Sequence, residues 1–315
     1  MYELFLTTLV DDDDIQAACS VLGGLCAMPA WQSLHRVLYF KGPGKPGGIS
    51  NQNSIVKTPR KDIQMLWKDL HQQLSRQSYI LQARYEVFKD KDFGPTAPEV
   101  DFNARAGTLR WTDFPDPPQV RSSVTQRKKT EIWDQRNLLS VMKDNNYQFK
   151  SEAIEETYQF FREDVEFCLS RHYILQMNGD NGPLTQTATW DTMSPADPGQ
   201  RWMFLIKVHV HQDNKPDEIL KAHEQLANIR RELEGVFEFR MFDRRIHDTR
   251  VAVEMRNAPA PLPQVMTITD QRSLNSARSL GESFEDSAVN GKVQSQTVGA
   301  PDFAPDQVRA EPYPY

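Results

Sequence analysis

Apolar and polar residues alternate along much of the chain. The clearest case is residues 165–175, where Val165, Phe167 and Leu169 alternate with residues that are mostly polar. Because successive side chains of a strand point to opposite faces, this period of two predicts a strand. The run at 147–162 leads directly into it, which suggests a long hairpin. Similar runs predict strands at 2–9, 32–41, 78–88, 105–113, 202–211, 236–244 and 249–256.

A period of three to four residues predicts three amphipathic helices. We place the first near 13–27, after the acidic run Asp11–Asp14, whose charges favour a helix start. The second lies near 59–76, with a proline at its first position, and the third near 216–234, before a glycine stop. Each helix has one apolar face, so each must pack against an apolar surface.

These elements predict an α+β fold. Many antiparallel strands that are polar on one face suit a closed or nearly closed β-barrel, which also removes exposed sheet edges. We therefore expect an antiparallel β-barrel decorated by amphipathic helices. Its loops at 42–58, 89–104, 113–125 and 177–200 are long, and loops of that length often carry function.

The last part of the chain has a different composition. Residues 257–315 hold 7 of the 20 prolines, contain no tryptophan and show no sustained period. Such a composition is typical of disorder. We predict a barrel domain over residues 1–256 and a disordered, Pro-rich tail over 257–315.

Composition and charge exclude several classes of protein. The chain has 37 Lys and Arg against 43 Asp and Glu, a net charge of −6, which argues against a dedicated binder of nucleic acid or anionic membranes. We find no apolar stretch of the roughly 20 residues that span a bilayer and no basic leader, so we expect a soluble intracellular chain. Cys19, Cys26 and Cys168 lack the spacing of a disulfide framework or zinc site.

Motifs with known chemistry are weak. The glycine-rich segment 42–48 resembles a phosphate-binding loop but does not match its motif, because Pro46 follows Lys45 where Ser or Thr is required. His209 and His211 share a strand face, as some metal ligands do, but a polar face turned to water or a partner is the simpler interpretation. The basic run at 126–130 could localise the chain to the nucleus or contact nucleic acid; an ordinary solvated loop is favoured.

One enzymatic interpretation is a barrel that binds a triphosphate and a metal through carboxylates and basic groups in its lumen. Triphosphate-tunnel metalloenzymes open with Glu-x-Glu-x-Lys, whereas here Glu3 is followed by Phe5 and Thr7 at the other two positions. Solvated strand faces are therefore favoured, and a divergent metal-dependent triphosphatase is the alternative. The candidate inward groups are Glu3, Arg84, Glu86, Arg110, Arg171, Lys207, Arg240 and Glu254.

Taken together, these segments resemble the Mediator subunit 18 family in its fungal form. The resemblance covers about residues 1–256 and excludes the tail. It is a whole pattern of strand, helix, strand and late hairpin. The residues that carry it are Tyr2–Leu6, the acidic helix start, Val21–Pro29, Arg36–Lys41, and Asn145–Glu152 leading to Asp164–Arg171.

This resemblance implies a barrel shaped like the triphosphate-tunnel enzymes but used for assembly. It implies a non-catalytic structural subunit in the head module of Mediator, the nuclear coactivator that bridges transcription regulators and RNA polymerase II. The implied partners are Mediator subunit 20, a similar barrel, the C-terminal helix of subunit 8, and other head-module subunits, with the polymerase contacted indirectly or transiently. The resemblance implies no catalytic, cofactor-binding or metal residues, no membrane and no specific nucleic acid.

Assembly requires apolar surface beyond the core. Two aromatic clusters could supply it or could be core, and we assign no partner-binding residue from the sequence. The clusters are Tyr158, Phe160 and Phe161, and Phe237, Phe239 and Phe242.

Overall fold

A computed structural model describes residues 1–50, 60–117, 123–175, 182–211 and 215–252. In this part of the chain, eight antiparallel strands close into one barrel, which confirms the predicted fold class. The strands are β1 (Tyr2–Val10), β2 (Trp31–Lys41), β3 (Ile80–Glu86), β4 (Gly107–Thr112), β5 (Thr125–Gln135), β6 (Gln148–Arg162), β7 (Val165–Ile174) and β8 (Trp202–Val210). The described helices are α1 (Ile15–Cys26), α2 (Lys61–Leu74), α3 (Leu138–Asp144) and α4 (Pro216–Glu232).

The N-terminal strand closes the barrel. Around the barrel the order is β1-β5-β4-β3-β2-β6-β7-β8, and β8 pairs back with β1. Tyr2 lies opposite Lys128 on one side and opposite Val210 on the other. Because β1 has a partner along both edges, neither edge of the sheet stays open there.

Helices α1 and α4 cover one side of the barrel. Leu4 and Leu6 of β1 share a core cluster with Leu22 of α1 and with Leu226 and Ile229 of α4. This contact fixes the orientation of the strand, since residues that meet the helices face outward and the alternate residues face the lumen. The inward residues of β1 are therefore Glu3, Phe5 and Thr7.

Helices α2 and α3 cover a second part of the outer surface. Trp67 and Leu70 of α2 and Val141 of α3 pack with Leu81 of β3 and Leu109 of β4. The same alternation then turns the other residues of β3 and β4 into the lumen. The outer surface of the barrel thus carries large apolar clusters, while the lumen holds charged side chains together with a small apolar cluster around Val37 and Tyr39.

A buried ion pair fastens a loop to the outside of β2 and β6. Arg36 and Glu152 are both almost fully buried and form a contact of 2.6 Å. Arg36 Nη2 donates to the carbonyl of Leu184 at 2.6 Å, and the amide of Leu184 donates to Glu152 at 2.8 Å. The pair thus meets its remaining hydrogen-bonding capacity with backbone groups of the loop.

Two of the predicted strands and one predicted loop are wrong. Residues 125–135, left mainly to a loop and a basic run, form β5. Residues 236–243 form no regular element and precede a 3-10 turn at Arg244–His247. Residues 249–252 contribute only an isolated bridge between Arg250 and Tyr79. The predicted tail and the domain boundary at 256 lie outside the described residues.

Candidate functional site

The lumen of the barrel contains a network of charged side chains. Its members come from inward positions of β1, β3, β4, β5, β6, β7 and β8, and most are deeply buried. A buried charge is tolerated only when an opposite charge and hydrogen bonds compensate for its lost hydration. The basic members are Arg84, Arg110, Arg127, Lys129 and Lys207, and the carboxylates are Glu3, Glu131, Glu155 and Glu166.

Glu3 lies between two bases of the neighbouring strand β5. It is 2% exposed, and its carboxylate is 2.7 Å from Arg127 and 3.2 Å from Lys129. Burial acts to raise the pKa of Glu3, but the charges of Lys129 and Arg127 outweigh it and hold the pKa well below its usual range. Glu3 is therefore ionised and neutralised in place.

Two further carboxylates are neutralised in the same way. Glu131 pairs with Arg110 and lies 3.4 Å from Lys129, while Glu155 pairs with Arg84. Burial acts to raise the pKa of Glu131, yet Arg110 and Lys129 lower it to about 2. For Glu155, burial again opposes ionisation, and Arg84 again holds the pKa below its usual range.

The fourth carboxylate, Glu166, contacts one of the two histidines that the sequence places on the same strand face. Glu166 accepts from Lys207 at 2.9 Å and lies 3.2 Å from Nε2 of His209. His209 thus faces the lumen, while His211 lies exposed beyond the end of β8. Within the described residues, no group of three or more His, Cys, Asp or Glu could hold a metal ion.

Two histidines are held neutral by burial. His35 of β2 faces the lumen, and burial, assisted by the charge of Arg84, lowers its pKa to about 4. His247 packs edge-on against Phe5, with ring centroids 5.4 Å apart, and burial and Arg127 lower its pKa to about 3. Protonation of either ring would place another positive charge beside an arginine.

Only some of the charged groups that the sequence predicts to point inward lie in the lumen. Glu3, Arg84, Arg110 and Lys207 lie in the lumen, and Glu86 lies exposed at its rim. Arg171 and Arg240 do not lie in the lumen.

Arg171 faces the outside of the barrel, where it contacts Asp12 at 2.7 Å and Glu156 at 3.5 Å. Arg240 is exposed and pairs with Glu238, since residues 236–243 form no strand. Glu254 lies outside the described residues.

Sequence reasoning missed lumen residues on β5, β6 and β7. Arg127 and Lys129 were assigned to a solvated loop, whereas they point inward from β5 and neutralise Glu3. Lys128, between them, lies outside over the ring of Tyr2. Residues 125–131 are polar or charged at every position, so no alternation in the sequence separates the two faces of this strand.

A groove lies outside the barrel, along α4. It has a volume of about 990 Å³ and runs between α4 and residues 235–239. Leu220 and Val236 line it and are 60% and 54% exposed. Its rim carries charges of both signs, from Glu224, Arg230, Arg231, Glu234 and Glu238.

A second groove of about 640 Å³ lies on the other side of the same segment, against α1. Val236, Phe237 and Glu238 line both grooves, so this segment forms a ridge between them. The ridge is fastened to β1, because Thr8 donates to the carbonyl of Glu238 at 2.6 Å and the amide of Arg240 donates to Thr7 at 3.2 Å.

The aromatic clusters divide between core and surface. Phe160 and Phe239 are buried, and Tyr158 and Phe237 pack against the same core cluster. Phe242 is half-buried in the groove beside α1. Phe161 is 45% exposed and points toward the lumen mouth.

In the described residues, no helix is both long enough and apolar enough to cross a membrane. Comparison with curated proteins finds no match. A chain in the structure of the Schizosaccharomyces pombe Mediator head module is 13% identical; the alignment covers 76% of this chain and 98% of that one, with a TM-score of 0.53. The PH1012 protein of Pyrococcus horikoshii OT3 is 11% identical over 75% of this chain and 94% of its own, with a TM-score of 0.36.

The similarity to the head-module chain supports the barrel fold. The model of the Med18 protein family matches residues 2–250, which include all eight strands of the barrel and extend to the bridge at Arg250. The chain therefore belongs to the Med18 family of Mediator subunits.

Proposed function

We propose that this chain is a non-catalytic structural subunit of the Mediator head module in the nucleus. It holds other head subunits on its outer surface and leaves its lumen chemically inactive. Support for an inactive lumen comes from the ion pairs, because Glu3, Glu131, Glu155 and Glu166 are each bound by bases of the chain itself. A divalent metal would have to displace those bases.

The observation that carries the proposal is the groove along α4. An amphipathic helix needs a trough with apolar anchor points and a charged rim, and this groove offers Leu220 and Val236 between Glu224, Arg230 and Arg231. We assign it to the C-terminal helix of Mediator subunit 8. The barrel of Mediator subunit 20 then packs elsewhere on the outer surface.

Point variants test the groove. The full chain is mixed with a labelled C-terminal segment of subunit 8, and the dissociation constant is measured by fluorescence anisotropy. Leu220→Asp and Val236→Asp place a charge on the apolar floor and should each weaken binding by about tenfold or more. Met65→Asp is the matched control, since Met65 is 64% exposed on α2.

Equal binding by all three variants would overturn the groove assignment. The wider proposal has its own test, in which the tagged chain is isolated from nuclear extract and its companions are identified by mass spectrometry. Near-equal recovery of Mediator subunits 8 and 20 supports it. Recovery without any Mediator subunit, or tripolyphosphate hydrolysis that Glu3→Gln abolishes, would contradict it.

A further inference from the structure

One mouth of the barrel opens into a cavity of about 560 Å³. It lies where β2 begins and β6 ends, and it differs from both grooves along the ridge. The residues that matter at this mouth are Trp31, His35, Arg84, Glu86, Asp134 and Phe161.

Two large aromatic side chains at this mouth are exposed to solvent instead of packing in a core. Trp31 is 65% exposed and Phe161 is 45% exposed. Trp31 pairs with Gln159 across β2 and β6, so Phe161, two residues farther along β6, lies diagonally beside it on the same face. Neighbouring exposed aromatics at a cavity are typical of a binding surface, whereas scattered ones need no explanation.

The charges at this mouth are unbalanced. Glu86 and Asp134 are exposed, and neither has an ion-pair partner among the residues that the structure describes. Arg84, deeper in the cavity, is already neutralised by Glu155. His35 lies opposite Glu86 across β2 and β3, and burial with the nearby Arg84 keeps its ring neutral at physiological pH. The mouth therefore presents negative charge next to aromatic faces.

We propose that this mouth binds a basic segment of a partner protein, with an arginine side chain between Trp31 and Phe161 and its charge toward Glu86 and Asp134. The chemistry fits a guanidinium group, which stacks on aromatic rings and also pairs with carboxylates. Nucleic acid is disfavoured, because its phosphates would meet the two unpaired carboxylates.

The test uses a fluorescein-labelled peptide in which four arginines are separated by glycine and serine. Binding to the full chain is followed by anisotropy, and a second peptide carries citrulline in place of each arginine. Citrulline keeps the shape of the side chain and removes the charge. We expect the arginine peptide to bind and the citrulline peptide to bind at least about tenfold more weakly.

Two kinds of variant locate the site. Trp31→Ala and Phe161→Ala should each weaken binding of the arginine peptide by about fivefold. The double variant Glu86→Gln, Asp134→Asn should weaken it by about tenfold. The double variant Asp11→Asn, Asp13→Asn removes the same total charge just after the end of β1, which is the end of the barrel opposite Asp134, and should change binding by less than about twofold.

Three results would overturn the proposal. Equal effects of the two double variants would mean general attraction to the net charge of the chain. Unchanged binding in both aromatic variants would show that the peptide does not contact Trp31 and Phe161. Equal binding of the citrulline peptide would show that the charge of the arginine is not recognised. Thermal unfolding of each variant confirms that the barrel is intact, which exposed positions should allow. The subunit 8 assay is independent of all these results.

Discussion

At the scale of single residues, the interior of this barrel depends on charge neutralisation. Each lumen carboxylate contacts a base on an adjacent or nearby strand, as Glu3 does with Arg127 and Lys129. Removing one member leaves its partners charged and buried. Such a loss costs more than the pair itself contributes, because the orphaned charge has no water to hydrate it.

We predict that Glu3→Gln destabilises the barrel by about 3 kcal/mol. The change keeps the shape of the side chain and leaves Arg127 and Lys129 without their shared carboxylate. Urea unfolding followed by circular dichroism measures the free energy of unfolding. Glu238→Gln is the control, since Glu238 pairs with Arg240 on the open surface, and there we expect no measurable change. Equal stability of Glu3→Gln and the native chain would contradict the role of the network.

We predict that stability falls as the pH drops from about 6.5 toward 4. The folded chain lowers the pKa of His35 to about 4 and of His247 to about 3. Below pH 6.5 the unfolded chain therefore binds more protons than the folded one, and the free energy of unfolding decreases, by on the order of 1 kcal/mol for each ring by pH 5.

The pH slope is the measurement that tests these histidines. Urea unfolding at pH 7, 6 and 5 gives it for the native chain and for His247→Leu. The variant should show a shallower decrease, whatever its stability at pH 7. An unchanged slope would mean that His247 does not stay neutral in the folded barrel. Further loss from about pH 4.5 down to about pH 2 should follow from the lowered pKa of Glu131, because the unfolded chain protonates this carboxylate first.

The sequence could identify some lumen residues and not others. Glu3 could be identified because it stands at the first position of the Glu-x-Glu-x-Lys pattern of triphosphate-tunnel enzymes, and the structure turns it inward, away from the helices that cover Leu4 and Leu6. Arg171 was misplaced because it shares a face with Val165, Phe167 and Leu169, and that apolar face packs against the helices outside the barrel instead of facing the lumen. Its outward position follows from Trp202, whose ring lies beneath the guanidinium.

At the scale of elements, helix α4 packs against the barrel with one set of residues and lines the groove with another. Leu226 is fully buried against the barrel, whereas Leu220, on the same helix, is 60% exposed in the groove. We predict that Leu226→Ala destabilises the chain by about 3 kcal/mol and Leu220→Ala by less than about 0.5 kcal/mol. Thermal and urea unfolding of both variants measures this. Similar losses would mean that the groove face of α4 is part of the core.

The missed strand and the false strand have opposite causes. β5 carries charged or polar side chains on both faces from Thr125 to Lys129, so its sequence shows no apolar alternation although its inward charges are paired. Residues 236–243 alternate aromatics with charges, but Phe237 and Phe239 both pack against Phe204 while the chain crosses β1 without a ladder. A hydrophobic pattern predicts which side chains are buried, but it does not predict which segment supplies the backbone hydrogen bonds of a strand.

At the scale of the whole molecule, closure depends on β1. We predict that a chain lacking residues 1–10 loses its cooperative unfolding transition, because β5 and β8 each lose a paired neighbour and Leu4 and Leu6 leave the core. Calorimetry and size-exclusion chromatography measure this. A synthetic peptide of residues 1–12 added in trans should restore the transition. A truncated chain that unfolds cooperatively at the native temperature would contradict this role.

The closed topology lies beyond what a pattern of single strands can specify. The sequence predicts the β6–β7 hairpin, whose strands are neighbours in the chain and pair from Ala153 with Ile174 to Arg162 with Val165. It does not specify that β5 inserts between β1 and β4, since that choice depends on contacts between distant residues. The pairing of a hairpin depends on residues that are close in the sequence, whereas closure of the barrel depends on contacts among all eight strands.

The pairing of β1 with β8 also orders events during synthesis. Tyr2 pairs with Val210, so the first strand made needs a partner that is translated about 200 residues later. At a typical rate of about 5–20 residues per second, β1 waits on the order of ten seconds or longer outside the ribosome. During that time the edge of β1 that pairs with β8 has no partner, and Leu4 and Leu6 lack the cover of α4, which is made later still. Closure of the barrel is therefore a late event, which has to follow the translation of its eighth strand.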